Sequence, residues 1–213
     1  MNHQQRSVNV PAPVPASWPR LEAGECLSLF TAKDESSGPA GLRIRWAWRE
    51  NGGFDPRAHE LVRGFELQEA FQTCVEIGDE LLAPARSPRG LFINDWDAHF
   101  LETNRYVISG GSLGLALLLG LIGYARRVPP IPRCFVWGAI RPIRNDSFSV
   151  VPVGDIEGKL RYASMSAPSM IIHPRAETLH VPRECRDVGI SEPIKAAWAE
   201  LNAVLQDEVV HVH

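Results

Sequence analysis

Ser112 stands in the stretch Val107-Ile108-Ser109-Gly110-Gly111-Ser112-Leu113-Gly114, between glycines and at the mouth of the apolar run Leu113 to Tyr124. Where a strand turns into a helix, the first N–H groups of the helix have no internal partner and its dipole supplies partial positive charge. Such a place can hold an oxyanion. Backbone N–H groups near Gly110, Gly111 and Ser112 would then stabilise a tetrahedral intermediate on a carbonyl attacked by Ser112, and the bare glycines at 110, 111 and 114 would let that carbonyl come close. A serine at this point also suits a structural role as the cap of the apolar helix, so the glycine-rich motif alone leaves both uses open.

A hydroxyl nucleophile needs a base. The seven histidines, at 3, 59, 99, 173, 180, 211 and 213, fall in no recognisable triad motif. A lysine serves if burial lowers its pKa enough to leave it neutral near pH 7. The chain has three, Lys33, Lys159 and Lys195. Lys33 and Lys195 sit in polar surroundings. Lys159 follows a strand pattern and the Gly154-Asp155 turn and precedes Leu160 and Ala163 on a helix start, which makes it the lysine expected to point inward.

The elements that must position these two residues form a mixed series. Residues 1–20, with four prolines between Pro11 and Pro19, suggest a flexible arm. Leu42 to Trp48 alternates as a strand and leads to the turn Asn51-Gly52-Gly53, predicting a hairpin. Apolar spacing between Glu60 and Leu82 predicts an amphipathic helix closed by Pro84. Gly90 to Asn94 suggests a strand, Asp95 to Arg105 a loop, and Tyr106 to Ile108 another strand. The helix Leu113 to Arg127 follows and ends before Pro129-Pro130. Cys134 to Ile140 and Ser147 to Val153 are predicted as strands about the turn Arg144-Asn145-Asp146. A helix start at Gly158 to Ala163, a strand at Ser169 to His173, and a helix over Ser191 to Asp207, capped by Ser191 with Pro193 in its first turn, complete the chain. This order predicts an α+β domain over 21–190, with residues 191–213 as a helix and tail packed on it.

Composition excludes several classes. Of 213 residues 45% are hydrophobic, enough for a substantial core, and the net charge of -3 gives no field toward nucleic acid or anionic membrane. Cys26, Cys74, Cys134 and Cys185 form no C-x-x-C pair, so they are expected as buried thiols rather than metal ligands or a disulfide frame. No apolar signal region opens the chain, and Leu113 to Tyr124 is shorter than the roughly 20 residues of a membrane span. A cytoplasmic protein without metal or cofactor is expected. Gly154-Asp155-Ile156-Glu157-Gly158-Lys159-Leu160 fails as a phosphate loop because its glycines are too close and Leu160 replaces the magnesium-binding hydroxyl. Ser164-Met165 fails as the serine of a self-cleaving repressor because the best lysine precedes it.

Gly110-Gly111-Ser112-Leu113-Gly114 and Pro152-Val153-Gly154-Asp155-Ile156-Glu157-Gly158-Lys159-Leu160 together resemble the proteolytic domain of Lon-type Ser/Lys proteases. That family carries its nucleophile in G-P-S-A-G ahead of an apolar helix and its lysine at the end of a segment like P-[IV]-G-G-[ILV]-K-E-K-L. Trp46-Ala47-Trp48 with Gly52-Gly53 is similar to the family's first strand and turn, Leu67 to Gly78 to its first helix, and Met170-Ile171-Ile172-His173-Pro174 to a late strand, so the resemblance covers about residues 42 to 180. It implies a Ser112–Lys159 dyad and a protein substrate, and it leaves oligomeric state open, a homo-oligomer being one option since such domains commonly form rings. Trp137-Gly138-Ala139 stands where the family has T-G-E, so Trp137 occupies the base-supporting position without the hydroxyl. No Walker motif accompanies the domain, so the substrate would be a flexible segment, a specific partner, or a chain delivered by a separate ATPase or sensor subunit. The alternative is a Lon-like domain with impaired catalysis that acts as a protein-binding or scaffolding module.

Overall fold

The computed structural model describes residues 17–31, 39–47, 53–54, 65–82, 90–95, 111–143 and 147–211. Strand β1 (Glu25–Thr31) buries Cys26 and Ser28 on one face and Leu27 and Leu29 on the other. A strand covered on both faces shows no polar alternation, so its sequence carries no period-two signal. Strand β2 (Pro39–Ala47) does alternate, with Leu42, Ile44 and Trp46 buried and Arg43 and Arg45 half-buried.

The expected hairpin after β2 is replaced by a different pairing. β2 lies antiparallel between β1 and β4 (Gly90–Asp95), with Cys26 opposite Ile44 and Ile44 opposite Ile93. The short β3 (Gly53–Phe54) pairs parallel with β4 at the sheet edge. On the other side β5 (Cys134–Val136), β8 (Met170–Pro174) and β9 (Arg186–Ile190) add in parallel, giving the order β3-β4-β2-β1-β5-β8-β9. Leu27, Phe135, Ile171 and Asp187 share one register across the four parallel strands. Strands β6 (Ala139–Ile143) and β7 (Ser147–Val151) form a separate antiparallel pair. The segment expected as one strand over Cys134 to Ile140 therefore breaks at Trp137-Gly138, because Gly138 has φ +146° and turns the chain out of the large sheet.

Helix α1 (Phe65–Leu81), helix α2 (Gly114–Arg126) and helix α4 (Ile194–His211) gather on one face of this sheet. Residues 114–123 of α2 are all buried, as expected of a helix that is apolar all round and sits between other elements. Trp46 fixes α2 to the sheet: its indole N–H donates to Leu117 O at 2.7 Å and its ring stacks on Phe71 of α1 at 5.4 Å. Helix α3 (Ile156–Ser166) lies on the opposite face, where Tyr162 meets the edge of Phe135. A sheet of mixed parallel and antiparallel strands, a separate antiparallel pair and four helices make the fold α+β among the described residues. One apolar cluster runs from Cys26 to Leu205 and includes Ala197 and Leu201 of α4.

Two local expectations are corrected. Trp18, in the segment read as a flexible arm, packs on Phe135 at 5.0 Å and donates its indole N–H to Ser166 O at 3.0 Å. Residues 1–16 lie outside the described residues. Ser191 does not cap α4: its backbone N–H and its hydroxyl both donate to the Glu200 carboxylate, at 2.7 Å each, and α4 begins after Pro193, whose carbonyl accepts from Ala197 N. The predicted strand at Tyr106 to Ile108, the turn 144–146 and the loop 96–105 lie outside the described residues, and among those described no helix is long and apolar enough to cross a membrane.

Candidate functional site

Ser112 is the middle residue of a short 3-10 turn, Gly111–Leu113, that leads into α2. The N-cap of α2 is Leu113 and makes no side-chain capping bond, so Ser112 is not the helix cap. It is instead held through its backbone. Gly138 N donates to Ser112 O, and Leu115 N donates to Gly138 O, both at 2.9 Å. The β5–β6 bend thus clasps the turn on both sides of Gly114. A side chain at Gly114 would bring its Cβ within 2.6 Å of Ile140 N, so this glycine is required by the close approach of β6 rather than by a ligand. Gly110, expected to supply an oxyanion N–H, lies outside the described residues; Gly111 opens the turn and is half-buried.

Lys159 lies in the first turns of α3. Asp155, in the left-handed region at φ 52°, caps that helix by accepting from Gly158 N at 3.2 Å, a role and a conformation that aspartate tolerates better than most residues. Lys159, one residue later, is 2% exposed as a residue, and its amine donates to Gly154 O at 2.9 Å. Removal from water pushes its pKa down from 10.5 to about 8, against the opposing attraction of the Glu177 and Asp155 carboxylates. Lys195 is exposed and faces Glu80 at 3.4 Å, and Lys33 lies outside the described residues.

Trp137 is fully buried and reaches Lys159 through an intermediary. Its indole N–H donates to Glu177 Oε2 at 3.0 Å, while Glu177 Oε1 accepts from Val153 N at 3.0 Å. Val153 precedes Gly154, whose carbonyl holds Lys159. Glu177 is fixed on a turn at the exit of β8, where its N–H donates to Pro174 O at 3.0 Å. The chain of contacts from Ser112 through Gly138, Trp137, Glu177 and Val153 to Lys159 therefore joins four segments distant in sequence. Among the described residues no hydrogen bond joins Lys159 to Ser112; the amine is turned to Gly154 O.

Two further residues of this region are given no role by motif or spacing. Glu177 has a side chain only 5% exposed and follows no motif. His173, on β8, is buried with Nδ1 2.9 Å from Pro174 O and 3.7 Å from Glu177 Oε2, and with Nε2 2.6 Å from Asp187 Oδ1. The available hint was the placement of a histidine in an apolar strand, Met170-Ile171-Ile172-His173, where burial demands polar partners on neighbouring elements. The partner itself, Asp187 on β9, emerges only from the parallel pairing of β8 with β9.

The four cysteines are free and buried. Burial pushes the Cys26 thiol up to about 12 and raises Cys74, Cys134 and Cys185 as well, so none is a ready thiolate. Among the described residues no group of three or more His, Cys, Asp or Glu side chains is arranged to hold a metal ion. Compared with models of known protein families and with curated proteins, the chain matches none.

Proposed function

We propose that this chain is an ATP-independent serine endopeptidase of the Lon type, with Ser112 as nucleophile and Lys159 as general base. The observation that supports this reading most is the state of Lys159: a buried amine at the start of a helix, with a pKa lowered to about 8, is a base poised near neutral pH. A neutral amine has two N–H donors and one lone pair. With one N–H committed to Gly154 O, the lone pair stays available to accept a proton.

In the proposed reaction Ser112 gives its proton to Lys159 Nζ as Oγ attacks a substrate carbonyl, and N–H groups of the glycine turn, at Gly111 and Ser112, hold the oxyanion. The Lys159 ammonium then protonates the leaving amine. Water, deprotonated by the neutral amine, hydrolyses the acyl ester and restores Ser112. The substrate class is an unfolded or flexible protein segment, offered by a partner or delivered by a separate ATPase or sensor subunit.

A second reading, a Lon-like binding or scaffolding module, is favoured by one observation: the amine is engaged by Gly154 O and faces the Glu177 charge. Wild type, Ser112→Ala and Lys159→Ala are to be compared on unfolded proteins and on co-encoded partners. Cleavage by wild type alone is the expected result. Equal cleavage by wild type and Ser112→Ala refutes the mechanism, and partner binding by all three without cleavage selects the scaffold.

A further inference from the structure

The Lon resemblance puts Trp137 at the base-supporting position, where a bulky indole replaces the expected hydroxyl. A buried carboxylate accepts from that indole. Glu177 is 5% exposed in its side chain and is kept in place from several directions. The turn that carries it is closed by its own N–H to Pro174 O, and the preceding Arg175 is anchored to β9 through its backbone N–H on Ile190 O and its guanidinium on Gly189 O. Each carboxylate oxygen then accepts one N–H, from the Trp137 indole and from the Val153 backbone. A buried carboxylate with two fixed donors is an oriented charge rather than a solvated one.

We propose that Glu177 is the positioning residue of the lysine base: it ties the Trp137 indole to the Val153 backbone and so fixes both the Gly154 carbonyl that orients Lys159 Nζ and the place of its own negative charge in the same pocket. This inference rests on the reading of Lys159 as a base, and it assigns Trp137 a role of its own. Trp137 is a donor to the carboxylate, held by its backbone N–H to Ile172 O at 3.1 Å on one side and followed by the Gly138 clasp on Ser112 on the other. Asp155 is the second carboxylate facing the amine, and it is committed to the α3 cap. His173 approaches Glu177 Oε2 only at 3.7 Å and is engaged by Asp187. Support for the amine comes through Glu177 from the exit of β8, not from a hydroxyl on the β5–β6 bend.

The test is an NMR titration of the Lys159 side chain in the full chain, which is tractable because there are only three lysines. In Glu177→Gln the titration midpoint of Lys159 should fall by about one pH unit, tenfold in its protonation equilibrium, because an opposing charge is removed while burial persists. A variant that merely loosened the fold would let water in and move the midpoint up, toward 10.5, so the sign separates positioning from general structural damage. Trp137→Phe keeps a ring and deletes the donor. It should shift the midpoint at least about threefold in the protonation equilibrium when Glu177 is present, and add nothing in the Glu177→Gln background. A midpoint that stays put or rises in Glu177→Gln, or an effect of Trp137→Phe that persists without Glu177, overturns the proposal. If Glu177→Gln does not fold, an unshifted midpoint in Trp137→Phe alone overturns it. Titrations that behave as expected in a chain without peptidase activity uphold the positioning and refute the peptidase reading, so the two failures are distinct.

Discussion

Lys159→Met should make the protein more stable at neutral pH and abolish the proposed activity. Lys159, 2% exposed as a residue, is mostly protonated at pH 7 with its pKa moved from 10.5 to about 8. At about 1.4 kcal/mol for each tenfold change in a protonation equilibrium, keeping the charge there costs about 3 kcal/mol at pH 7 relative to a neutral side chain, after the attraction of Glu177 and Asp155 is included. Methionine fills similar space without charge but loses the hydrogen bond to Gly154 O, which contributes about 1 kcal/mol. The net gain should be about 2 kcal/mol.

The same buried charge sets a pH dependence. The folded pKa of Lys159 lies below the unfolded one, so the unfolded chain binds the extra proton and wild-type stability rises as pH climbs through about 8 toward 10.5. By pH 10 the native amine is neutral and the electrostatic cost has fallen to about 1 kcal/mol, level with the lost hydrogen bond. Urea unfolding of both proteins at pH 7 and pH 10 should therefore show an advantage of about 2 kcal/mol for Lys159→Met that vanishes at the higher pH, with equal m-values. Groups common to both chains cancel in the difference. A difference that is the same at both pH values, or a variant less stable than wild type at pH 7, refutes the assignment of Lys159 as a buried, destabilising charge.

Three further outcomes follow from the same geometry. Peptidase kcat/KM should rise with pH through about 8 and then level, since only about a tenth of Lys159 is neutral at pH 7 when its pKa is about 8; a profile flat from pH 6 to 9 counts against it as base. Ser112→Ala should remove activity yet change unfolding free energy by less than about 0.5 kcal/mol, whereas a true N-cap serine would cost about 1 kcal/mol on the same substitution. Gly114→Ala should cost about 1–3 kcal/mol in chemical denaturation because its Cβ would press on Ile140 N at 2.6 Å, and an unchanged midpoint would show that β6 yields freely.

The parts of the fold that sequence reveals are those exposed on one side or apolar all round. β2 shows its alternation through Arg43 and Arg45, and α2 shows its burial through an unbroken apolar run bounded by Pro129-Pro130. β1 is hidden because Leu27 and Leu29 face one layer while Cys26 and Ser28 face another, leaving no polar side to mark the period. β9 is hidden for the opposite reason: Arg186 and Asp187 expose an edge strand whose pairing with β8 decides its identity. The site follows the same logic. Ser112 stands out because a glycine-rich turn precedes an apolar helix, and Lys159 because it follows the Gly154-Asp155 turn ahead of Leu160 and Ala163, while Glu177 is an ordinary charged residue until the turn after β8 carries it under Trp137.

The Trp137-Gly138 pair explains why the supporting shell could not be read locally. Read as sequence, Cys134 to Ile140 is one apolar strand, and a strand would send Trp137 and Gly138 to opposite faces with no further consequence. The bend changes what both residues do. Gly138, at φ +146°, turns its N–H and carbonyl onto Ser112 and Leu115, and a side chain there would meet Pro174 Cγ at 2.9 Å. Trp137 keeps its backbone bond to β8 and sends its indole N–H to Glu177. One peptide unit therefore braces the Ser112 turn and, one residue earlier, the Glu177 carboxylate whose charge raises the Lys159 pKa. Such a junction links the Ser112 turn to the Lys159 pocket through a chain of hydrogen bonds, although none joins the two side chains among the described residues. A substitution at Gly138 should consequently disturb both sides of the site at once, whereas a change at Trp137 that keeps the ring should act on the lysine side alone.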